Sequence, residues 1–572
     1  MRNCTSPVTF PTTSAQKGKT VQETIAGTPQ THWPCAGSHG LGFLDLIPTV
    51  IRHFCLCLTL VILTLGATAS ALAQIQTATV MGGKLEGVVT NGVAAFKGIP
   101  FAAPPLHDLR WQAPQPVVPW VGTRKADAFG PSPMQDAAWA LIMGSSASIS
   151  EDCLYLNVWT PAKSPAEKRP VMVWIYGGGF NSGMTSAGLY DGTKLAQKGV
   201  VLVSIAYRVG PFGFLATPEL SRESGHGSGN YGLLDQVAAL QWVQQNIRQF
   251  GGDPARVTIF GESAGGESVS MLTAVPAAKG LFQRVISESG GSMSPLKTGD
   301  EIDRMVPTLK LAEANGRKFL EKLGARDLKA ARALSAETIQ ASGIDMGEFW
   351  PVADGTVLPG DEYELYLKGQ YHDTPVLIGS NSDEGALFVH ESFTPESFEQ
   401  QVRNHFGPDA PTMLRLYPHA TDKEAFKSAK DLFRESVFAW PTWAWASLHA
   451  RHSRYPTFIY YFDHRIPGSP DGSNHATEIG YVFGKLDSWG GGSRPEDRAL
   501  ADLMSAYWVN FAATGNPNGP GLPVWPVFNE KNLNTMVFDQ APGVRPTPNL
   551  EKLKAFDDYF ARQRKQVQPS GL

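Results

Sequence analysis

A serine set between glycines is the residue pattern in this 572-residue chain best suited to covalent chemistry. Gly261-Glu262-Ser263-Ala264-Gly265 follows a β-branched run, Val257-Thr258-Ile259-Phe260, and precedes small residues suited to a helix. A G-x-S-x-G segment between strand and helix makes a sharp turn that exposes the serine Oγ. Glycines are needed because neighbouring side chains would collide with the crowded backbone of that turn. The first N–H groups of the following helix then point toward developing negative charge. The chemistry implied is acyl transfer, with Ser263 as the nucleophile.

A second glycine run, Tyr176-Gly177-Gly178-Gly179-Phe180, ends an earlier apolar segment. With the N–H of Ala264, the N–H groups of Gly178 and Gly179 would form a three-donor oxyanion hole. A phosphate loop is disfavoured: the run lacks G-x-G-x-x-G spacing with a downstream acid, and no Walker lysine follows. A serine hydroxyl also needs a base, ordinarily a histidine oriented by a buried carboxylate. In a chain with this elbow the order is serine, acid, histidine. Asn381-Ser382-Asp383-Glu384-Gly385 and Asp471-Gly472-Ser473-Asn474-His475 lie in that order. Position alone does not choose among thirteen histidines.

These residues need a scaffold, and the pattern around them supplies one. Val171–Tyr176, Val200–Ala206, Val257–Phe260 and Pro375–Gly379 read as strands buried on both faces. Leu233, Val237, Leu240, Val243 and Ile247 recur at helical spacing, with Gly251-Gly252-Asp253-Pro254 closing the helix. Alternating strands and helices predict a mostly parallel sheet covered on both sides, in one domain with long insertions.

A formal net charge of −4 and the lack of any Lys/Arg run argue against a nucleic-acid partner. No HExxH or zinc-spaced Cys/His cluster is present, and the serine chemistry requires neither metal nor organic cofactor. Arg52-His53 precedes about a dozen apolar residues that end in Ala71-Leu72-Ala73, which reads as a secretory signal. The run is short of the ~20 residues that span a bilayer. The expectation is cleavage after Ala73, export to the periplasm or medium, and no stable membrane anchor; an uncleaved anchor is the alternative. Residues 1 to about 48 show no apolar periodicity, which suggests a true start nearer Val50. Residues 1–73 are thus expected to be removed and 74–572 to form the mature domain. Of five cysteines only Cys153 would survive, so no internal disulfide is expected.

Longer motifs add a resemblance. Glu151-Asp152-Cys153-Leu154-Tyr155-Leu156-Asn157-Val158-Trp159 and Phe260-Gly261-Glu262-Ser263-Ala264-Gly265-Gly266 resemble the two signatures of the type-B carboxylesterases. That family includes cholinesterases, animal carboxylesterases and bacterial p-nitrobenzyl esterases. Gly229–Gln236 and Phe250–Pro254 also match, and the likeness runs from about Val80 to Phe560. It implies the α/β-hydrolase fold and a triad of Ser263, Glu384 and His475. The carboxylate falls on Glu384 because the family motif puts the acid directly before glycine; Asp383 is the nearest rival. Supporting hydrogen bonds near acid and base are implied for Ser289 and Glu478. Relatives often pair the cysteine of the second signature with one in Phe-Gly-Pro-x-Cys. Here Phe129-Gly130-Pro131-Ser132-Pro133 has proline there, which leaves Cys153 without a partner and the loop from Pro133 to Cys153 unclamped. Trp139 and Met143 in this loop are candidates for the site entrance.

The reading is a serine carboxylesterase acting on a small-molecule ester through an acyl-enzyme. A catalytically dead binding or adhesion relative would lack the nucleophile, whereas this chain keeps all three triad residues. Carbamates, amides and polyesters could use the same machinery. The sequence names neither the physiological ester nor the oligomeric state.

Overall fold

β-branched runs that are apolar on both sides build the middle of the molecule. The computed structural model describes residues 74–567 apart from 143, 145–146, 343–346, 391, 470 and 489–493. The leading stretch, the signal-like run and Cys4, Cys35, Cys55 and Cys57 lie outside the described residues. No helix among the described residues is long and apolar enough to cross a membrane.

Fourteen strands are present among the described residues. β1 (Thr77–Val80), β2 (Gly83–Glu86) and β5 (Thr123–Lys125) form a small sheet. The others are β3 (Val88–Thr90), β4 (Val93–Pro100), β6 (Tyr155–Thr160), β7 (Arg169–Ile175), β8 (Val201–Ile205), β9 (Gly252–Glu262), β10 (Arg284–Glu288), β11 (Val376–Asn381), β12 (Thr457–Phe462), β13 (Asn534–Phe538) and β14 (Gly543–Pro546). They make one sheet in the order β3-β4-β6-β8-β7-β9-β10-β11-β12-β13-β14. The run from β8 to β13 is parallel throughout, and antiparallel pairs occupy both flanks. All four expected strands are found within this parallel block. Val171 to Ile175 of β7 are fully buried, as a central strand requires.

Helices Tyr231–Asn246, Ala264–Ala274, Trp440–His452 and Pro495–Thr514 pack on the sheet. The expected break after the first of these is tighter than four residues. A short 3₁₀ turn, Ile247–Phe250, ends at Gly251 with φ of 74°, and β9 begins at Gly252. Gly251 alone supplies the left-handed turn, which a side chain would strain. The carboxyl ends of β9, β10 and β11 lie side by side, where open parallel sheets hold their sites.

The family motifs have local tasks in this frame. Asn157 of β6 accepts from Gly98 N–H at 2.9 Å and donates to Ser204 of β8 at 3.0 Å, tying three antiparallel strands together. Buried Asp235 holds the Arg208 guanidinium at 2.7 and 2.8 Å and accepts its backbone N–H. That anchors the helix Tyr231–Asn246 to the loop after β8.

Candidate active site

The chain leaves β9 through a turn that only small neighbours permit. Ser263 has φ of 56° and ψ of −126°, a strained conformation for a residue with a side chain. Its N–H donates to Glu288 C=O at 2.9 Å, and its own carbonyl accepts from Glu267 N–H at 2.8 Å. A Cβ on Gly261 would sit 2.6 Å from Ile175 O, and one on Gly265 only 2.1 Å from the same atom. The end of β7 therefore lies hard against the turn. A Cβ on Gly177 would lie 3.0 Å from Ser263 Cβ, so the Tyr176–Phe180 loop abuts the serine.

Glu384 follows β11 and is fully buried. One carboxylate oxygen accepts from Asn381 N–H and from Ser289 Oγ, both at 2.7 Å. The other meets His475 Nδ1 at 2.5 Å. Asp383 faces away, with its carboxylate 3.2 Å from Lys430 Nζ. Gly385 explains the motif's last letter, since a Cβ there would stand 2.3 Å from Lys430 O. The loop bearing His475 is stitched to the acid loop. Ser473 N–H donates to Ser382 Oγ at 2.7 Å, and Asp383 N–H donates to Ser473 O at 2.9 Å. The imidazole packs against Phe438 and Phe388, with ring centroids 4.5 and 5.2 Å away.

The far nitrogen of the ring, His475 Nε2, lies 3.1 Å from Glu262 Oε1. The Ser263 hydroxyl makes no hydrogen bond among the described residues, so the expected serine–histidine link is not closed here. Catalytic hydrogen bonds of this kind commonly tighten only with substrate bound. The N–H groups of Gly178, Gly179 and Ala264 likewise carry no hydrogen bond among the described residues. Ala264 opens its helix, so its N–H has no acceptor within it. Free N–H groups on the two turns that meet at a half-buried serine are the kind of donors an oxyanion site requires.

Burial disfavours a charged imidazole, but Glu262 and Glu384 outweigh it and lift His475 to about 9. Burial, reinforced by Glu384 and offset in part by His475, raises Glu262 to about 7. Glu478 rises to about 8 through burial and the nearby Glu262 and Glu384. Burial and Glu478 push Glu288 well above the usual carboxylate range. The site is thus one imidazole among buried carboxyls, several of which prefer their protons at neutral pH.

Comparison with known proteins agrees with this architecture. The model of the Carboxylesterase family matches residues 69–556. The chain belongs to the carboxylesterase family. Fumonisin B1 esterase of Sphingopyxis macrogoltabida is 40% identical over 481 residues, covering 81% of this chain and 86% of that protein. Para-nitrobenzyl esterase of Bacillus subtilis (strain 168) is 36% identical over 504 residues, covering 83% and 97% respectively. A solved PNB esterase structure superposes with a TM-score of 0.73 at 36% identity, covering 84% of this chain and 100% of that one. This carboxylesterase has the α/β-hydrolase fold and is a carboxylic-ester hydrolase.

The structure of the carboxylesterase brings Glu384, His475, Ser289 and Glu478 together. Ser289 Oγ is 3.4 Å from Glu478 Oε1, and Asn381 Nδ2 donates to Glu478 Oε2 at 2.5 Å. Sequence reasoning missed Asn381, which serves both carboxylates, and Glu262, which meets the histidine. It also missed Glu288 with its donor Trp508 Nε1 at 2.8 Å. Glu262 was visible only as the variable letter of the elbow motif, and no spacing rule pairs Trp508 with Glu288.

One expectation needs correcting. The loop from Pro133 to Cys153 is clamped, by hydrogen bonds. Ser132 N–H donates to Ser148 O at 2.7 Å, and Ser150 N–H donates to Ser132 O at 2.9 Å. Gln135 donates to Gly183 O at 2.7 Å and accepts from Gly183 N–H at 3.0 Å. Paired backbone groups hold the chain where relatives often use a covalent bridge. Cys153 is a buried free thiol, raised by burial and behaving as a small hydrophobe. Met143 and the Trp139 side chain lie outside the described residues. Among the described residues no His, Cys, Asp and Glu cluster could hold a metal ion.

Proposed function

We propose that this carboxylesterase works through a Ser263–His475–Glu384 triad and a covalent acyl-enzyme. Ser263 attacks the ester carbonyl as His475 takes its proton at Nε2. The oxyanion rests on the N–H groups of Gly178, Gly179 and Ala264. His475 returns the proton to the departing alcohol, then activates water to release the acid. Glu384 orients the imidazole and stabilises its charged form; Ser289, Asn381 and Glu478 hold Glu384 in place. The observation that carries this reading is the 2.5 Å contact of buried Glu384 with His475 Nδ1, beside a strained serine turn.

Ser263→Ala should lower ester turnover by about 10⁵–10⁶-fold with the fold intact. A fluorophosphonate should label Ser263 once per chain. Activity retained in the alanine variant, with label on another serine, would overturn the assignment. The substrate proposed is a small-molecule carboxylic ester. Export with cleavage after Ala73 is proposed on the signal-like run alone.

A further inference from the structure

The acid and the base of the proposed triad stand on separate loops, 91 residues apart along the chain. A contact of 2.5 Å leaves them little latitude, so the two loops must be held in register. Hydrogen bonds through Ser382 and Ser473 do part of this. A third element, the helix Asp422–Arg434, also reaches both loops. Its Lys430 is buried, and the Nζ lies 3.2 Å from Asp383 Oδ2 and 3.0 Å from Asp471 Oδ2. Asp383 directly precedes Glu384, and Asp471 opens the segment that ends in His475. One ammonium therefore spans the acid loop and the base loop. One turn along the helix, Arg434 Nη1 donates to Ser382 O at 2.5 Å. Gly385 lies so close that a Cβ there would stand 2.3 Å from Lys430 O. The helix thus grips Ser382, Asp383 and Gly385, and Glu384 between them is left to face His475.

A buried ammonium is costly unless charge matches it. Burial would lower Lys430, but Asp471 and Asp383 outweigh it and raise the group above its ordinary value. The Asp471 side chain is 45% exposed, and an ion pair with one end in water contributes little to stability. Geometry is another matter, because a displacement of about 1 Å far from the chemistry can cost ~10²-fold in rate. We infer that Lys430 is a positioning residue of this esterase: by bridging Asp383 and Asp471 it ties the acid loop to the base loop and keeps Asp383 turned outward, so that Glu384 alone meets His475. This rests on the triad reading above.

The test is steady-state hydrolysis of ethyl acetate. Lys430→Met keeps the packing of the stem and deletes the ammonium; kcat should fall about 10–100-fold with KM within about twofold. Asp471→Ala strands no buried charge and should lower kcat about 3–10-fold. The double variant should be no slower than Lys430→Met, because the bridge is already gone. Lys430→Arg keeps a cation able to span two carboxylates and should recover most of the rate. The downfield Nδ1–H proton resonance of His475, which reports the short contact with Glu384, should move upfield in Lys430→Met. Lys430→Met leaves Asp383 buried and unpaired, which can unfold the chain. In that event Lys430→Met/Asp383→Asn removes both charges and should show the same loss, whereas asparagine at 383 alone still offers Nζ an acceptor. An unchanged kcat in either folded variant, a loss confined to KM, or Lys430→Met and Asp471→Ala losses that simply multiply, overturns the bridge and leaves the triad standing. Ethyl acetate hydrolysis that survives Ser263→Ala would instead overturn the triad.

Discussion

Replacing Glu262 by glutamine should reshape the pH dependence in a way that loss of packing cannot mimic. The carboxylate lies 3.1 Å from His475 Nε2. Two unit charges at that separation attract by ~5 kcal/mol at an effective dielectric of ~20. Glu262 is itself lifted to about 7, so it carries its full charge at the pH where His475 titrates. A glutamine amide oxygen at the same place keeps part of that attraction as a dipole, so a net loss of about half, ~2.5 kcal/mol or ~2 pKa units, is expected. His475 sits at about 9. As pH falls through that value the imidazole gains a proton and ceases to be a base, so kcat/KM drops below it. Glutamine removes a charge that favours the imidazolium, so the midpoint should move down by ~2 units, toward 7. The same charge also stabilises the imidazolium formed in the transition state. The alkaline plateau should therefore fall by up to ~100-fold, while rates on the acid limb barely change. At pH 7 the two enzymes should differ only about twofold by this reckoning. Titrimetric kcat/KM for ethyl acetate from pH 5 to 10 reads both quantities. A midpoint that stays put, or rises, while the plateau falls would refute the charge argument.

The other expectations are simpler. Glu384→Gln should cut kcat by about 10⁴-fold, as removing the orienting charge from a triad does. Asp383→Asn should change kcat little, because Asp383 pairs with Lys430; the reverse ranking in esterase assays would reassign the acid. Gly265→Ala should destabilise the enzyme by about 1–3 kcal/mol in urea melts, since its Cβ would stand 2.1 Å from Ile175 O; a neutral effect would show that the turn yields easily. Reductant should leave the melting temperature unchanged, as Cys153 is a buried free thiol. Mass spectrometry of exported protein should give an N-terminus at Gln74, and intact chain confined to the cytoplasm would count against export.

Sequence by itself determined the local chemistry. The elbow around Ser263, the glycine run at 177–179 and the buried strands on either side are short-range features, set by backbone sterics and side-chain period. The choice of Glu384 over Asp383 rested on a family motif; the physical ground appears only in space, where Asp383 turns to Lys430 and Glu384 to His475. Tertiary structure alone brought Glu262, Glu384 and Glu478 around one imidazole, with Glu288 behind them, from segments that span more than two hundred residues. It also replaced an absent disulfide with the pairing of Ser132 to Ser148 and Ser150, and set Lys430 between the loops that bear Glu384 and His475. Those outcomes depend on burial and on contacts between distant segments. Burial governs how strongly each charge is felt, and neither it nor such contacts follow from spacing along the chain.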